Sequence, residues 1–251
     1  MSTRLLAIDA GNTRIKWGLH NGREWFLRGA VDVNAIAASH AFVDVLKAAE
    51  IDRIVVSNVA GANVAKAINE QVSALGKPVV FITAEAERCG VVNRYETPAQ
   101  LGSDRWAALI AAHQQAAEAP RAQLVVMSGT ALTVDVLTAD GRFLGGIIVP
   151  GLLLMHRALN RGTAQLPAEA GEFQTFPRNT ANAITTGAVE ACAGAVQRMY
   201  THLSAQAGEG PHCVGSGGAM LVLAPHLPFP VTINDNLVLD GLLAMANADG
   251  R

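Results

Sequence analysis

The sequence LLAIDAGNT at Leu5–Thr13 begins as an apolar run and ends in an acidic, glycine-containing turn. Two further apolar segments follow, at 15–19 and 25–30, and the turn residues His20-Asn21-Gly22 separate them. Short apolar segments bounded by turn residues are typical of β-strands joined as hairpins. The first thirty residues therefore predict a three-stranded meander with a polar first turn.

Strands and helices are predicted to alternate through the rest of the first half. The spacing of apolar residues predicts helices over 34–50 and 64–75 and buried strands over 54–56 and 79–82. Pro98 is predicted to open a long alanine-rich helix that ends near Glu118, because Pro120 breaks it.

The same order of elements begins again after Pro120. Strands are predicted over 124–127, 132–137, 142–149, 211–214 and 231–233, helices over 151–160, 179–203 and 236–246, and a loop over 166–178. Gly11 and Gly129 occupy equivalent turns, so the chain is predicted as two α/β lobes, residues 1–119 and 120–251. Identity between the halves is slight, which leaves two unrelated lobes as an alternative.

A duplicated α/β pattern with a phosphate-type turn in each half is typical of the actin-like ATPase fold. That fold class, which includes acetate and sugar kinases, Hsp70 and actin, has two similar RNase H-like lobes that hold a nucleotide between their first hairpins. We therefore predict this fold.

The composition excludes several classes of protein. Of the 251 residues, 50% are hydrophobic and 16% are charged, which excludes collagen-like, disordered and coiled-coil chains. The net charge of −2 argues against a nucleic-acid partner bound through bulk positive charge. No apolar run approaches the roughly 20 residues of a membrane helix, so no membrane association is expected. Three dispersed cysteines, read as buried hydrophobic residues, and the absence of a signal-peptide segment predict a cytoplasmic protein.

The first turn carries groups that suit a nucleotide phosphate. Backbone N–H groups, Asn12 and the Thr13 hydroxyl can donate to phosphate oxygens. Asp9 can hold Mg²⁺ directly or through water, since a hard cation prefers carboxylate oxygen. Arg14 and Lys16 add positive charge nearby. The alternative is an ordinary hairpin turn, in which Asp, Gly and Asn are common for conformational reasons.

Three further glycine clusters follow predicted strands. They are Ser128-Gly129-Thr130, Gly145-Gly146 and Gly215-Ser216-Gly217-Gly218. Glycine at a strand end allows a ligand to approach the backbone closely, although tight packing alone explains any single cluster. Their recurrence in both halves indicates a nucleotide-binding cleft.

The segment Gly102–Trp106 combines a carboxylate with an adjacent guanidinium. Asp104 can act as the base that removes a proton from a phosphoryl acceptor, while Arg105 anchors an acidic substrate. The alternative is structural, because an Asp early in a helix also interacts favourably with the helix dipole.

These motifs together resemble those of type III pantothenate kinases, bacterial enzymes that catalyse the first step of coenzyme A biosynthesis. The resemblance covers nearly the whole chain. It rests on LAIDAGNT at 6–13, GSDR at 102–105, GTALTVD at 129–135, GGIIVPG at 145–151, Asn179-Thr180, Gly187 and Gly217-Gly218. It implies an actin-like kinase that acts as a homodimer and uses ATP, Mg²⁺ and pantothenate.

The resemblance also implies roles for individual residues. Asp104 would be the catalytic base. The ATP-binding residues would be Asp9, Ala10, Gly11, Asn12, Thr13, Arg14, Ile15, Lys16 and Thr130. The pantothenate site would be lined by Tyr95, Gly102, Ser103, Asp104, Arg105 and Thr180.

One position departs from the family pattern. The family commonly has an Asp two residues before the Gly of Gly-Thr-Ala, where it holds a monovalent cation such as potassium. Here that residue is Met127. A thioether is a poor ligand for a hard cation, which argues against a potassium ion at this position.

Two other functions remain compatible with the motifs. Some relatives are named as transcription accessory factors, so a regulatory protein that kept the fold is one alternative. A kinase for a sugar or another small hydroxylated acid is the second. The complete set of Asp9, Asp104, Arg105 and Thr130 favours catalysis.

Overall fold

The computed structural model describes residues 4–36, 50–73, 75–162 and 170–249. The chain divides into two compact units. The first contains the residues up to Gln115 together with the chain from Asn236 onward, and the second is Ala116–Asp235. Most of the helix predicted over 34–50 lies outside the described residues.

The described residues form twelve strands and six α-helices. The strands are β1 (Leu5–Ala10), β2 (Arg14–His20), β3 (Trp25–Asp32), β4 (Arg53–Asn58), β5 (Val79–Phe81), β6 (Glu87–Arg88), β7 (Val91–Asn93), β8 (Gln123–Ser128), β9 (Ala131–Leu137), β10 (Arg142–Pro150), β11 (His212–Ser216) and β12 (Val231–Ile233). The helices are α1 (Ala62–Ser73), α2 (Ser103–Gln115), α3 (Leu152–Gly162), α4 (Thr180–Ala207), α5 (Met220–Leu223) and α6 (Leu237–Asp249). None of these helices is both long and apolar enough to cross a bilayer.

The first unit contains a five-stranded sheet in the order β3-β2-β1-β4-β5. Strands β1, β2 and β3 form the predicted antiparallel meander, while β1, β4 and β5 run parallel. One face of β1 and β4 lies in a core cluster that includes Leu6, Ile8, Ile54 and Val56. Side chains alternate along a strand, so Asp9 and Ser57 project from the opposite face.

Helices α2 and α6 pack closely against each other in the first unit. A Cβ atom added at Gly241 would lie 1.9 Å from the Ala107 carbonyl oxygen, so glycine is required for this approach. Trp106, Leu109 and Ile110 of α2 are fully buried. The start of α2 is therefore held on a rigid support.

The C-terminal segment differs from the predicted lobe assignment. We expected all of 120–251 in the second lobe, whereas residues from Asn236 onward belong to the first unit. Helix α6 contacts α2, β1 and β4. The physical reason is its apolar surface, since Leu237, Leu242 and Met245 are completely buried.

The second unit repeats the strand order of the first. Its strands follow one another as β10-β9-β8-β11-β12, with β8, β9 and β10 antiparallel and β8, β11 and β12 parallel. Their positions in the sheet match those of β3-β2-β1-β4-β5. The predicted duplication is therefore confirmed as a shared topology, and it fits the predicted fold of two RNase H-like lobes.

One local prediction in the first unit was wrong, and one hairpin was missed. Pro98 opens only a short 3₁₀ helix, Pro98–Gln100, after which Leu101 is extended and α2 begins at Ser103. The hairpin β6–β7 was not predicted. Its turn residues Cys89 and Gly90 have φ angles of 52° and 82°, and positive φ at both positions is typical of a tight hairpin turn. Cys89 is consequently half-buried, unlike the fully buried Cys192 and Cys213.

Candidate active site

The first turn joins β1 to β2 and exposes several polar groups. It is closed by the Gly11 N–H, which donates to the Arg14 carbonyl oxygen at 3.1 Å. Asn12, Thr13 and Arg14 are exposed. Their donor groups are therefore accessible to an anion such as a phosphate.

Two residues predicted to contact ATP have side chains in the hydrophobic core. Ala10 and Ile15 are completely buried and belong to the core cluster of the first unit. Only their backbone atoms are placed to meet a ligand at this turn. Lys16 differs, because it is half-buried and lies directly across the strand pair from Asp9.

Asp104 lies in the first turn of α2. Its Oδ1 atom accepts a hydrogen bond from the Arg105 backbone N–H at 2.8 Å. A Cβ atom added at Gly102 would lie only 2.7 Å from the same carboxylate oxygen. Glycine at this position therefore leaves room for the Asp104 carboxylate.

The carboxyl groups of Asp9 and Asp104 are electrostatically coupled. Burial and the charge of Asp104 raise the pKa of Asp9 to about 7, while Lys16 opposes the shift. Burial also raises the pKa of Asp104, against the hydrogen bond and the charge of Arg105. A carboxyl group with a raised pKa is a stronger proton acceptor than a solvated one.

Arg105 is buried and is oriented by Tyr95. Its Nη1 atom donates to the Tyr95 hydroxyl oxygen at 3.1 Å, and its guanidinium carbon lies 5.8 Å from the ring centroid. The Tyr95 backbone N–H donates to Asn93 at the end of β7. The hairpin β6–β7, which the sequence did not predict, therefore holds Tyr95 in place, and Tyr95 contacts Arg105.

Ser103 is directed into the protein. Its hydroxyl lies 2.9 Å from that of Ser57 on β4, and both residues are buried. The resemblance implies that Ser103 lines the pantothenate site, but this hydroxyl is already paired with another side chain. Sequence reasoning missed Ser57, for which the only available signal was a polar residue at the end of an apolar strand.

The second unit contains an equivalent turn between β8 and β9. The Gly129 N–H donates to the Ala131 carbonyl oxygen at 3.0 Å, and Thr130 is exposed. Gly217 has a φ of 98°, and a Cβ atom there would lie 2.3 Å from the Ser128 carbonyl oxygen. A Cβ atom at Gly151 would likewise lie 2.3 Å from the Gly129 carbonyl oxygen. Gly217 and Gly151 therefore lie against the backbone of the second turn.

Met127 precedes that turn on β8. It is half-buried and lies opposite Thr133 on β9 and Ser216 on β11. No carboxylate occupies these register positions. Met127 therefore places a thioether at the position of the expected acidic group, and its two neighbours across the strands are neutral hydroxyl residues.

Thr180 is the exposed first residue of α4, directly after Asn179, which caps that helix. The segment before it is held on α4, where the Gly171 N–H donates to the Thr185 hydroxyl oxygen and the Gln174 N–H to that of Thr186. Thr180 and Thr130 belong to the second unit. The structure brings Asp9, Lys16, Tyr95, Asp104 and Arg105 into one cluster within the first.

The site offers few ligands for a metal ion. The described residues contain no group of three or more His, Cys, Asp or Glu side chains arranged to hold a metal. Asp9 and Asp104 supply carboxylate oxygens within electrostatic range of each other. This donor set fits Mg²⁺, which usually keeps several waters and takes only one or two protein carboxylates.

Comparisons with known proteins agree on one family. A family model described as type III pantothenate kinase matches residues 5–202. The type III pantothenate kinase of Nitrosospira multiformis is 46% identical over 98% of this chain and 92% of its own length. That of Aromatoleum aromaticum is 48% identical over 98% of both chains.

Solved structures with lower identity support the fold alone. A Campylobacter jejuni protein assigned to the Baf family of transcriptional activators is 17% identical, with a TM-score of 0.61 and 98% coverage of both chains. The inorganic polyphosphate/ATP-glucomannokinase of an Arthrobacter species is 18% identical, with a TM-score of 0.52 over 99% of this chain and all of its own. The chain is therefore similar in fold to actin-like kinases.

Proposed function

The chain belongs to the type III pantothenate kinase family, and we infer that it phosphorylates pantothenate with ATP to give 4′-phosphopantothenate, the first step of coenzyme A biosynthesis. The observation that carries this proposal is the cluster of Asp104, Arg105 and Tyr95 beside Asp9. It combines a half-buried carboxylate for proton transfer with a buried guanidinium for an acidic substrate.

Asp104 is the catalytic base in this proposal. Its carboxylate takes the proton of the pantothenate hydroxyl as the hydroxyl oxygen bonds to the γ-phosphorus of ATP. The bond between that phosphorus and the bridging oxygen breaks, and ADP leaves with the bond electrons. The raised pKa of Asp104, caused by burial, favours proton acceptance at this position.

Arg105 binds the pantothenate carboxylate. A guanidinium recognises a carboxylate through two parallel N–H donors, so its plane must be fixed before the substrate arrives. The hydrogen bond from Nη1 to the Tyr95 hydroxyl, with the guanidinium carbon 5.8 Å from the ring centroid, supports that orientation. The family resemblance also assigns Gly102 and Thr180 to pantothenate binding.

ATP is bound by the turns that follow β1 and β8. Asn12, Thr13 and the backbone of Gly11 donate to phosphate oxygens, and Arg14 and Lys16 balance their charge. Thr130 provides a hydroxyl donor from the second turn. The exposure of Asn12, Thr13, Arg14 and Thr130 supports this assignment.

Asp9 would hold Mg²⁺, directly or through water. When bound, Mg²⁺ would neutralise negative charge that develops on the phosphates during transfer. Burial and the charge of Asp104 raise the pKa of Asp9. A cation bound nearby would oppose this shift, because it favours the ionised carboxylate. Lys16, directly across the strand pair, acts in the same direction.

We propose that no potassium ion is needed at the second turn. Met127 replaces the usual carboxylate, and its neighbours across the strands are Thr133 and Ser216. The fixed positive charges of Arg14 and Lys16 then compensate the phosphates without an exchangeable ion.

We propose that the enzyme acts as a homodimer. In the second unit, helix α3 has no buried residue, and it exposes Leu153, Leu154 and Leu159. Ile148 on β10 is 61% exposed. An exposed apolar surface of this kind commonly marks a protein interface.

The three unpaired cysteines suit a reducing cytoplasm, where we place the reaction.

An assay of the purified protein tests the proposed function. ATP and Mg²⁺ are supplied with pantothenate, with other hydroxylated acids or with hexoses, and ADP release and the phosphorylated product are measured. We expect product only with pantothenate, and loss of turnover in the Asp104→Asn variant. Turnover with a hexose but not with pantothenate would refute the substrate assignment.

A further inference from the structure

Ser57 and Ser103 form a buried link between a strand and a helix of the first unit. Ser57 has no exposed surface, Ser103 is 7% exposed, and their hydroxyl oxygens are 2.9 Å apart. Burying two hydroxyl groups is favourable only when they are hydrogen-bonded, and removing one partner leaves the other unsatisfied. The pair therefore constrains the distance between β4 and the start of α2.

The position of Ser57 places this link beside the proposed active site. Ser57 on β4 is the register partner of Asp9 on the parallel strand β1. Both residues lie on the sheet face opposite the core cluster, and neighbouring strands are about 4.8 Å apart. Ser103 immediately precedes Asp104 in α2. The hydroxyl link therefore connects the strand beside Asp9 to the residue before Asp104.

The end of β4 also lies beside the residue that precedes α2. A Cβ atom added at Gly102 would lie 3.6 Å from the Cγ1 atom of Val59, which follows β4 directly. Val59 is itself fixed, since its N–H donates to the Ala10 carbonyl oxygen at 3.0 Å. The helix start is thus tied to β4 by the Ser57–Ser103 hydrogen bond, and the residue before it lies beside the end of that strand.

We propose that Ser57 is a positioning residue for the phosphoryl-transfer reaction, acting through Ser103 to hold Asp104 at a fixed distance from Asp9. The inference rests on the proposed function, because it assigns Asp104 the role of base. Ser103 in turn acts as the partner of Ser57 rather than as a donor to pantothenate. Misplacing a reacting group by about 1 Å costs up to roughly 100-fold in rate, so this link affects turnover more than substrate affinity.

Steady-state kinetics of Ser57→Ala, Ser103→Ala and the double variant test the proposal. We expect each single variant to lower kcat roughly 10-fold or more, while the KM for ATP changes by less than about twofold. If the hydroxyls act only as a pair, the double variant should lose no more activity than either single variant. Val55→Ala is the matched control, because Val55 is buried on the same face of β4 but is not part of the link.

The outcomes separate this proposal from the proposed function. A kcat near the wild-type value in Ser57→Ala, with wild-type enzyme active on pantothenate, would overturn the positioning role. Equal losses of kcat in Ser57→Ala and Val55→Ala would also overturn it, because packing alone would then explain the effect. If the wild-type enzyme used another acceptor, the same ratios would be measured with that acceptor, and only the substrate assignment would fail.

Discussion

Asp9 is half-buried and lies in the electrostatic field of Asp104, and these two causes, burial first, raise the pKa of Asp9 to about 7. The two residues come from different elements, β1 and the start of α2, and are far apart in sequence. Their coupling makes the stability of the ligand-free protein depend on pH. It also means that the site attracts positive charge.

The first prediction concerns pH and stability. The pKa of Asp9 is higher in the folded protein than its ordinary value of 3.8, so the folded state binds the proton more tightly. Protonation of Asp9 therefore stabilises the folded protein. This contribution to the free energy of unfolding is present below about pH 4 and is lost as the pH rises toward 7. Asp9→Asn should therefore raise the free energy of unfolding at pH 8 by on the order of 2 kcal/mol, measured with a metal chelator present.

Urea unfolding followed by tryptophan fluorescence measures this change. All three tryptophans, Trp17, Trp25 and Trp106, lie in the first unit, so the signal reports that unit. Glu70→Gln is the control, because it removes an exposed carboxylate on α1 of the same unit. Equal stability changes in both variants would contradict the assignment to Asp9.

The second prediction concerns the base. Asp104→Asn keeps the shape of the side chain but cannot take up a proton, so kcat should fall by roughly 10²- to 10⁴-fold. Calorimetry should show ATP affinity within about twofold of wild type. Glu70→Gln, which removes an exposed carboxylate on α1, serves as the control. Turnover near the wild-type level in Asp104→Asn would exclude the role.

The third prediction separates substrate binding from chemistry. Arg105→Lys loses the paired donors of the guanidinium and should raise the KM for pantothenate roughly 10-fold or more. Tyr95→Phe removes only the hydroxyl that accepts from Arg105, so its effect on the same KM should be a few-fold. The KM for ATP should be unchanged in both. A uniform change in both KM values would argue against a pantothenate-specific role.

Much of the fold was predictable because it is encoded locally. The apolar runs around Ile8 and Val126 end in glycine-containing turns, and their repetition correctly predicted a duplicated α/β pattern, which the structure shows as a shared order of five strands. The start of α2 was not predictable in this way. Pro98 is a favourable first residue for a helix, but here it begins a 3₁₀ turn, and the helix forms only after Gly102.

The candidate site was predictable in its motifs but not in its supports. Asp104 and Arg105 are adjacent in sequence, so a motif could identify them. Ser57 contacts Ser103 across 46 residues, and no periodicity or spacing encodes such a contact. The placement of α6 in the first unit is a long-range effect of the same kind, since it depends on which buried surface accepts an apolar helix.

The fourth prediction concerns association. We expect light scattering to give a mass near twice 26.2 kDa for the wild-type protein. Leu153→Glu places a charge on the exposed apolar surface of α3 and should shift the population toward monomer. Leu221→Glu is the control, because Leu221 is also exposed but lies on the separate helix α5. An active wild-type enzyme with the mass of a monomer would contradict the dimer.

The last prediction concerns the monovalent cation. Met127 stands where the family commonly has an Asp, and its strand neighbours Thr133 and Ser216 carry no charge. The thioether is a poor ligand for potassium, so added potassium should change kcat only slightly at constant ionic strength. Removing Mg²⁺ should abolish turnover, because the negative charge that develops on the phosphates during transfer would then lack a divalent counter-ion.

The Met127→Asp variant tests the same prediction in the opposite direction. A carboxylate at this position supplies the missing hard ligand, so kcat of the variant should rise as potassium replaces sodium. Met127→Leu is the matched control, since it keeps the apolar volume and adds no ligand, and it should remain insensitive to potassium. Strong activation of the wild-type enzyme by potassium would show that hydroxyl and carbonyl oxygens around the second turn bind the ion without the carboxylate. The positive charges of Arg14 and Lys16 would then not be sufficient for the ATP phosphates.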